Sequence, residues 1–70
     1  MDLSTAKQIK SRALAAIAEL DAVVSDTREQ CSPEDVQQIR RRVGHLIGYI
    51  VTDLLEPILQ RFPEIDDLKE

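Results

Sequence analysis

Ser32-Pro33-Glu34-Asp35-Val36 divides the 70-residue chain in two and decides how it folds. Serine is a favoured N-cap, and proline suits the first helical position because the N–H it lacks would have had no partner there. Two carboxylates follow in the first turn, where the helix dipole favours negative charge. Downstream, Val36, Ile39, Val43, Leu46/Ile47, Ile50, Leu54 and Ile58 recur at a mean spacing of about 3.67, the signature of a nearly straight α-helix. Upstream, Ala6, Ile9, Ala13, Ala16, Ile17, Leu20, Val23 and Val24 recur at intervals of three and four and fail any period-two test. Ser4 and Thr5 are the candidate N-caps of that first helix, with Gln8 placed to complete a capping box on Thr5.

The sequence therefore predicts one all-α domain over residues 1–70, with helix 1 over about 5–28, a turn over 29–32, helix 2 over 33–62 and a tail over 63–70. A connection this short makes the helices an antiparallel hairpin. Pro57 removes the amide that would bond the carbonyl of Asp53 and crowds the same turn, so helix 2 is expected to kink near 57, the alternative being a stop at Leu55. Pro63 ends it. In the tail, Ile65 and Leu68 fall on one side of a possible further turn.

The apolar face of the second half, from Val36 to Phe62, is too wide for one companion helix to cover. A core at this chain length seldom supplies more than about 3–5 kcal/mol, and self-association is one usual remedy. The others are missing. Cys31 is the only cysteine and His45 the only histidine, which excludes an internal disulfide and leaves no plausible four-ligand zinc set. No metal and no cofactor is expected. The hairpin is expected to form a homodimeric four-helix bundle.

Charge supports the antiparallel pairing. A turn near Cys31 sets Glu19 and Asp21 against Arg40, Arg41 and Arg42, and sets Lys7 and Lys10 near Asp53 and Glu56. Exposed pairs of this kind contribute about 0–1 kcal/mol each and so bear on orientation more than on stability. The formal charge of −4 argues against nucleic acid as a partner. The acidic start, Met1-Asp2-Leu3-Ser4-Thr5, lacks the features of a signal peptide. Val43 to Leu55 is apolar but falls short of the ~18 residues a bilayer crossing needs, so a membrane role is not expected. A cytoplasmic location is the expectation, with Cys31 an incidental free thiol.

Gly44 and Gly48 form a G-x-x-x-G inside helix 2, where each glycine costs roughly 0.5–1 kcal/mol against alanine. One reading makes Gly44, Gly48, Val51 and Leu55 a dimer seam that lets another backbone approach closely. The other has the glycines accommodate Leu14 and Ile17 within the hairpin. Ile58, Phe62, Ile65 and Leu68 are candidates for docking a partner. His45, Tyr49 and Asp53 fall at successive i+4 positions and make a weaker candidate ligand or metal line, which a ladder of solvent-facing polar side chains explains without function. Arg40 to Arg42 could touch phosphates, but consecutive helical residues point about 100° apart and cannot share a face. No nucleophile or oxyanion donor set accompanies these groups, so no catalytic residue is assigned and no enzyme is expected. The expected function is that of a small noncatalytic cytoplasmic protein–protein interaction module. The alternatives are a ligand- or metal-binding bundle using the His45/Tyr49/Asp53 face, and a nucleic-acid accessory protein using Arg40 to Arg42.

Overall fold

The structure, a computed structural model, describes residues 1–66 and is all-α, with no strand among them. Helix α1 spans Leu3–Arg28 and α2 spans Pro33–Tyr49. A π-helical turn follows over Ile50–Leu55, then the short α3 over Glu56–Arg61 and a 3₁₀ turn over Pro63–Ile65.

Helix α1 begins earlier than the serine and threonine suggested. Asp2 is the N-cap: its backbone is extended and its Oδ1 accepts from the N–H of Thr5 at 2.8 Å, so the helix starts at Leu3 rather than near residue 5. The carboxylate at this end also meets the positive pole of the helix dipole. Hydrogen bonds from Thr5 hold the Asp2 carboxyl below its usual pKa. At the other end the Thr27 hydroxyl donates to the carbonyls of Val23 and Val24, and its own carbonyl accepts from Gln30 and Cys31 to close the turn. Ser32 then caps α2, its Oγ accepting from the N–H of Asp35 at 3.2 Å, with Pro33 as the first helical residue.

The two long helices pack along each other through small and β-branched residues. Ala13 and Val43 are buried, with Ile17, Leu20, Val24, Ile39, Ile47 and Ile50 half-buried beside them. Asp21, Val24 and Arg28 of α1 share a groove with Arg40, Val43 and Ile47 of α2, whereas Ala6 near the start of α1 meets Ile58 and Ile65 near the end of the described chain. The start of α1 thus lies beside the end of the described residues. Lys7, Lys10 and Glu64 share a groove, and the Lys10 ammonium donates to the carbonyl of Ile65.

The π turn changes which residues face inward. Pro57 cannot donate to a carbonyl in the preceding turn, and its ring would crowd the carbonyl of Asp53 in a regular α-helix. The turn ahead of it is wider instead, and the Glu56 N–H donates to the carbonyl of Val51, five residues back. A π turn absorbs one extra residue. Leu55, 6% exposed, consequently follows Ile50 on the inward line, and Leu54, expected there, is 42% exposed. Leu46 also departs from the expected stripe. It is 51% exposed, while its neighbour Ile47 is the one turned inward.

Beyond α3 the chain leaves the helix at Phe62, whose φ of −129° and ψ of 71° lie outside the α region that the following proline disfavours. The 3₁₀ turn carries Ile65 back under α1, where it is buried with Ala6 and Ile58 against the half-buried Ile9, Leu59 and Phe62. Leu68, placed by the sequence on the same side as Ile65, lies outside the described residues.

Candidate interaction surface

The inward layer is thin. The buried apolar residues are Ala6, Ala13, Val43, Leu55, Ile58 and Ile65, and among the described residues no large side chain is fully enclosed. The chain exposes 5472 Å², against roughly 4,400 Å² expected for a folded monomer of this mass. Its radius of gyration of 14.7 Å likewise exceeds the ~11 Å of a compact chain of this length. Large apolar side chains stand at that surface: Leu3, Leu14, Val23, Leu46, Tyr49, Val51 and Leu54 are all at least 36% exposed within the helices.

Helical spacing distributes these residues over two flanks of the helix pair. One flank is fixed by the groove that Asp21, Ser25 and Arg28 share with Arg40, Gly44 and Ile47. Leu14 lies two turns before Asp21 and Val51 two turns after Gly44, so both belong to this side. Val23 and Leu46 each follow a member of this flank, Asp21 and Gly44, by two residues, which is about 200° of rotation, and therefore lie on the opposite flank. There α2 and the π turn present Arg42, Leu46, Tyr49 and Asp53, all exposed, at spacings of four, three and four. Tyr49 is the most exposed large apolar side chain among the described residues, at 65%.

The candidate seam is divided by this geometry. Gly44 and Gly48 are exposed, and a Cβ on either would meet nothing within 4 Å, so neither makes room for Leu14 or Ile17 inside the helix pair. Val51 lies at the surface. Leu55 does not: the π turn buries it against α1. The candidate docking residues are divided as well, because Ile58 and Ile65 are buried in the chain's own core and Phe62 packs half-buried against them.

His45, Tyr49 and Asp53 line one shallow groove with Gly44, Gly48 and Thr52 on the outer side of α2, away from α1. Among the described residues no three His, Cys, Asp or Glu side chains are grouped so as to hold a metal ion. The arginines diverge as helical geometry requires. Arg40 enters the groove with Asp21 and Arg28, whereas Arg42, two residues on, takes the opposite flank. Cys31 is free and exposed at the turn, in a groove with Arg28, Pro33, Val36, Gln37 and Arg40. Among the described residues no helix is long and apolar enough to cross a membrane.

Sequence reasoning placed Leu46 and Leu54 within the hairpin and so missed the flank they occupy with Val23. The signal that could have found it is the even spacing of Arg42, Leu46, Tyr49 and Asp53, which stays on one side of the helix for three turns. No family model, no curated protein and no solved structure matches this chain.

Proposed function

We propose that this chain is a small noncatalytic protein–protein interaction module, an antiparallel helical hairpin that works in the cytoplasm as a homodimeric four-helix bundle. One observation carries the reading: seven large apolar side chains stand exposed along the helices, while among the described residues no large side chain is fully enclosed. The excess surface of roughly 1,000 Å² is close to the ~800 Å² that each partner buries in a standard interface. A second copy supplies a matching apolar surface without requiring any other component. The exposed free thiol of Cys31 suits a reducing compartment.

Light scattering on a sizing column, over a concentration series, tests the proposal. Twice the 7.9 kDa chain mass, falling toward the single mass on dilution, is the expected result. A mass of one chain at every concentration would refute the homodimer and leave the apolar flanks to a different protein.

A further inference from the structure

We infer that the second copy docks on the flank carrying Leu46, Leu54 and Val23, with the two α2 helices crossing antiparallel between Ile47 and Gly48 so that Arg42 of each copy meets Asp53 of the other. This inference rests on the dimeric reading above and names its surface.

The residues themselves give the register. Arg42, Leu46, Tyr49 and Asp53 are exposed along one line of α2 and the π turn, at spacings of four, three and four. Those spacings read the same in both directions. The charges do not, since the line begins with a guanidinium and ends with a carboxylate. A copy turned end over end about a two-fold axis therefore sets Arg42 against Asp53, Leu46 against Tyr49, and the same pairs again in reverse. A parallel arrangement would instead place like charges together. Closed dimers use such self-complementary patches, in which residue i meets j and j meets i.

Reach is adequate. The line spans about 16 Å along the helix, so each charge sits about 8 Å from the crossing point. At the ~20° angle usual for bundles, the axes diverge by only about 3 Å over that distance. The π turn rotates Asp53 slightly outward but leaves it in the groove with Tyr49. Helix α1 is compatible with the same axis. Asp21 and Ile47 line one groove, so the crossing lies level with Leu20, and the small Ala16 of one copy falls near Val23 of the other.

The opposite flank is the poorer candidate. Of the seven large apolar residues exposed within the described helices it holds Leu3, Leu14 and Val51, and Lys7, Lys10, Asp21, Arg28 and Arg40 line its grooves. Burying that many charges would cost more than three side chains return.

The test is a charge exchange read by light scattering and by sedimentation of the full chain at low salt, with circular dichroism confirming helicity. Arg42→Glu turns two attractions into two repulsions and should raise the dimer dissociation constant roughly thirtyfold. Asp53→Arg alone should do the same, and the double variant should recover the wild-type value. Leu46→Asp, at a site already half exposed, should weaken the dimer at least a hundredfold with helicity retained. A wild-type dimer that tolerates Arg42→Glu and Leu46→Asp but is broken by Gly44→Leu would overturn this flank and leave the dimeric module standing. Failure of the double variant to recover would overturn the antiparallel register. A wild-type chain that never dimerises would remove the module and this inference together.

Discussion

Leu54 and Leu55 are adjacent leucines whose roles the π turn exchanges, and truncating each in turn reads that exchange directly. A regular α-helix through this region would bury Leu54, four residues after Ile50, and turn Leu55 outward. The structure has the reverse, with Leu55 6% and Leu54 42% exposed. Leu→Ala removes three carbons, worth about 0.8 kcal/mol each when fully buried. At the observed burial the transfer loss is about 2.3 kcal/mol for Leu55 and about 1.4 kcal/mol for Leu54. Leu55→Ala also leaves a hole against α1 that adds about 1 kcal/mol, whereas the surface at Leu54 is open and has no hole to leave. The expected costs are therefore about 3 and about 1 kcal/mol. With a urea slope near 1 kcal/mol/M for a chain of this size, the two midpoints should lie about 2 M apart. Unfolding should be followed by circular dichroism, at protein concentrations low enough that Leu54 makes no contact between copies. A larger loss at Leu54 than at Leu55 would show the helix to be regularly α through this stretch, and the account of Pro57 and the π turn would fall with it.

Gly44→Ala and Gly48→Ala should each raise stability by about 0.5–1 kcal/mol in the same denaturation assay, because neither glycine has a positive φ and a Cβ at either meets nothing within 4 Å. A loss of stability, or a weaker dimer, would show that a second backbone uses those positions. Asp2 supplies a pH dependence. Its carboxyl is held below the usual carboxylate range by hydrogen bonds from Thr5, so the stability it contributes is fully present above the unfolded pKa near 3.8. That contribution is lost as pH falls through the lower folded value. Asp2→Ala should remove this acid-side dependence in thermal melts taken between about pH 2 and 5, and an unchanged profile would show that the cap does not form in solution.

The fold was legible where sequence determines backbone locally. Ser32, Pro33 and the two carboxylates after them specify a helix start through their own hydrogen bonds and dihedrals, and the structure places all of them as read. The start of α1 was less so, because Asp2, Ser4 and Thr5 are all competent caps. The choice among them depends on where Ala6 sits, wholly enclosed beneath Ile58 and Ile65, which is a tertiary fact. The phase of the inward line beyond Ile50 was illegible for a related reason. A period of about 3.67 accommodates Leu54 and Ile58 in a regular helix, and nothing in the pattern of apolar residues says that a proline at 57 will be accommodated by widening the turn before it. That choice moves Leu55 from the seam to the core and Leu54 from the core to the surface, so a one-residue shift rewrites the candidate interface.

The same shift connects fold to function. Had α2 continued regularly, the helix pair would bury Leu54 and present Leu55 beside Gly44 and Gly48, on the flank that also carries Asp21, Arg28 and Arg40. With the wide turn in place, Leu54 lies instead beside Leu46 and Tyr49, extending an apolar line whose end charges are opposite and evenly placed. Pro57 thus acts on the surface through the backbone. Replacing it by alanine permits an α-helical bond to the carbonyl of Asp53 and removes the steric reason for the π turn. If the turn then closes, Leu54 and Leu55 exchange sides, and Pro57→Ala should alter self-association although Pro57 is not on the proposed interface. Hydrogen exchange at the amides of Glu56 and Pro57→Ala's new N–H would report the closure, and light scattering on the same variant would report its consequence. Closure without any change in association would separate the π turn from the interface and leave it as an accommodation to proline alone.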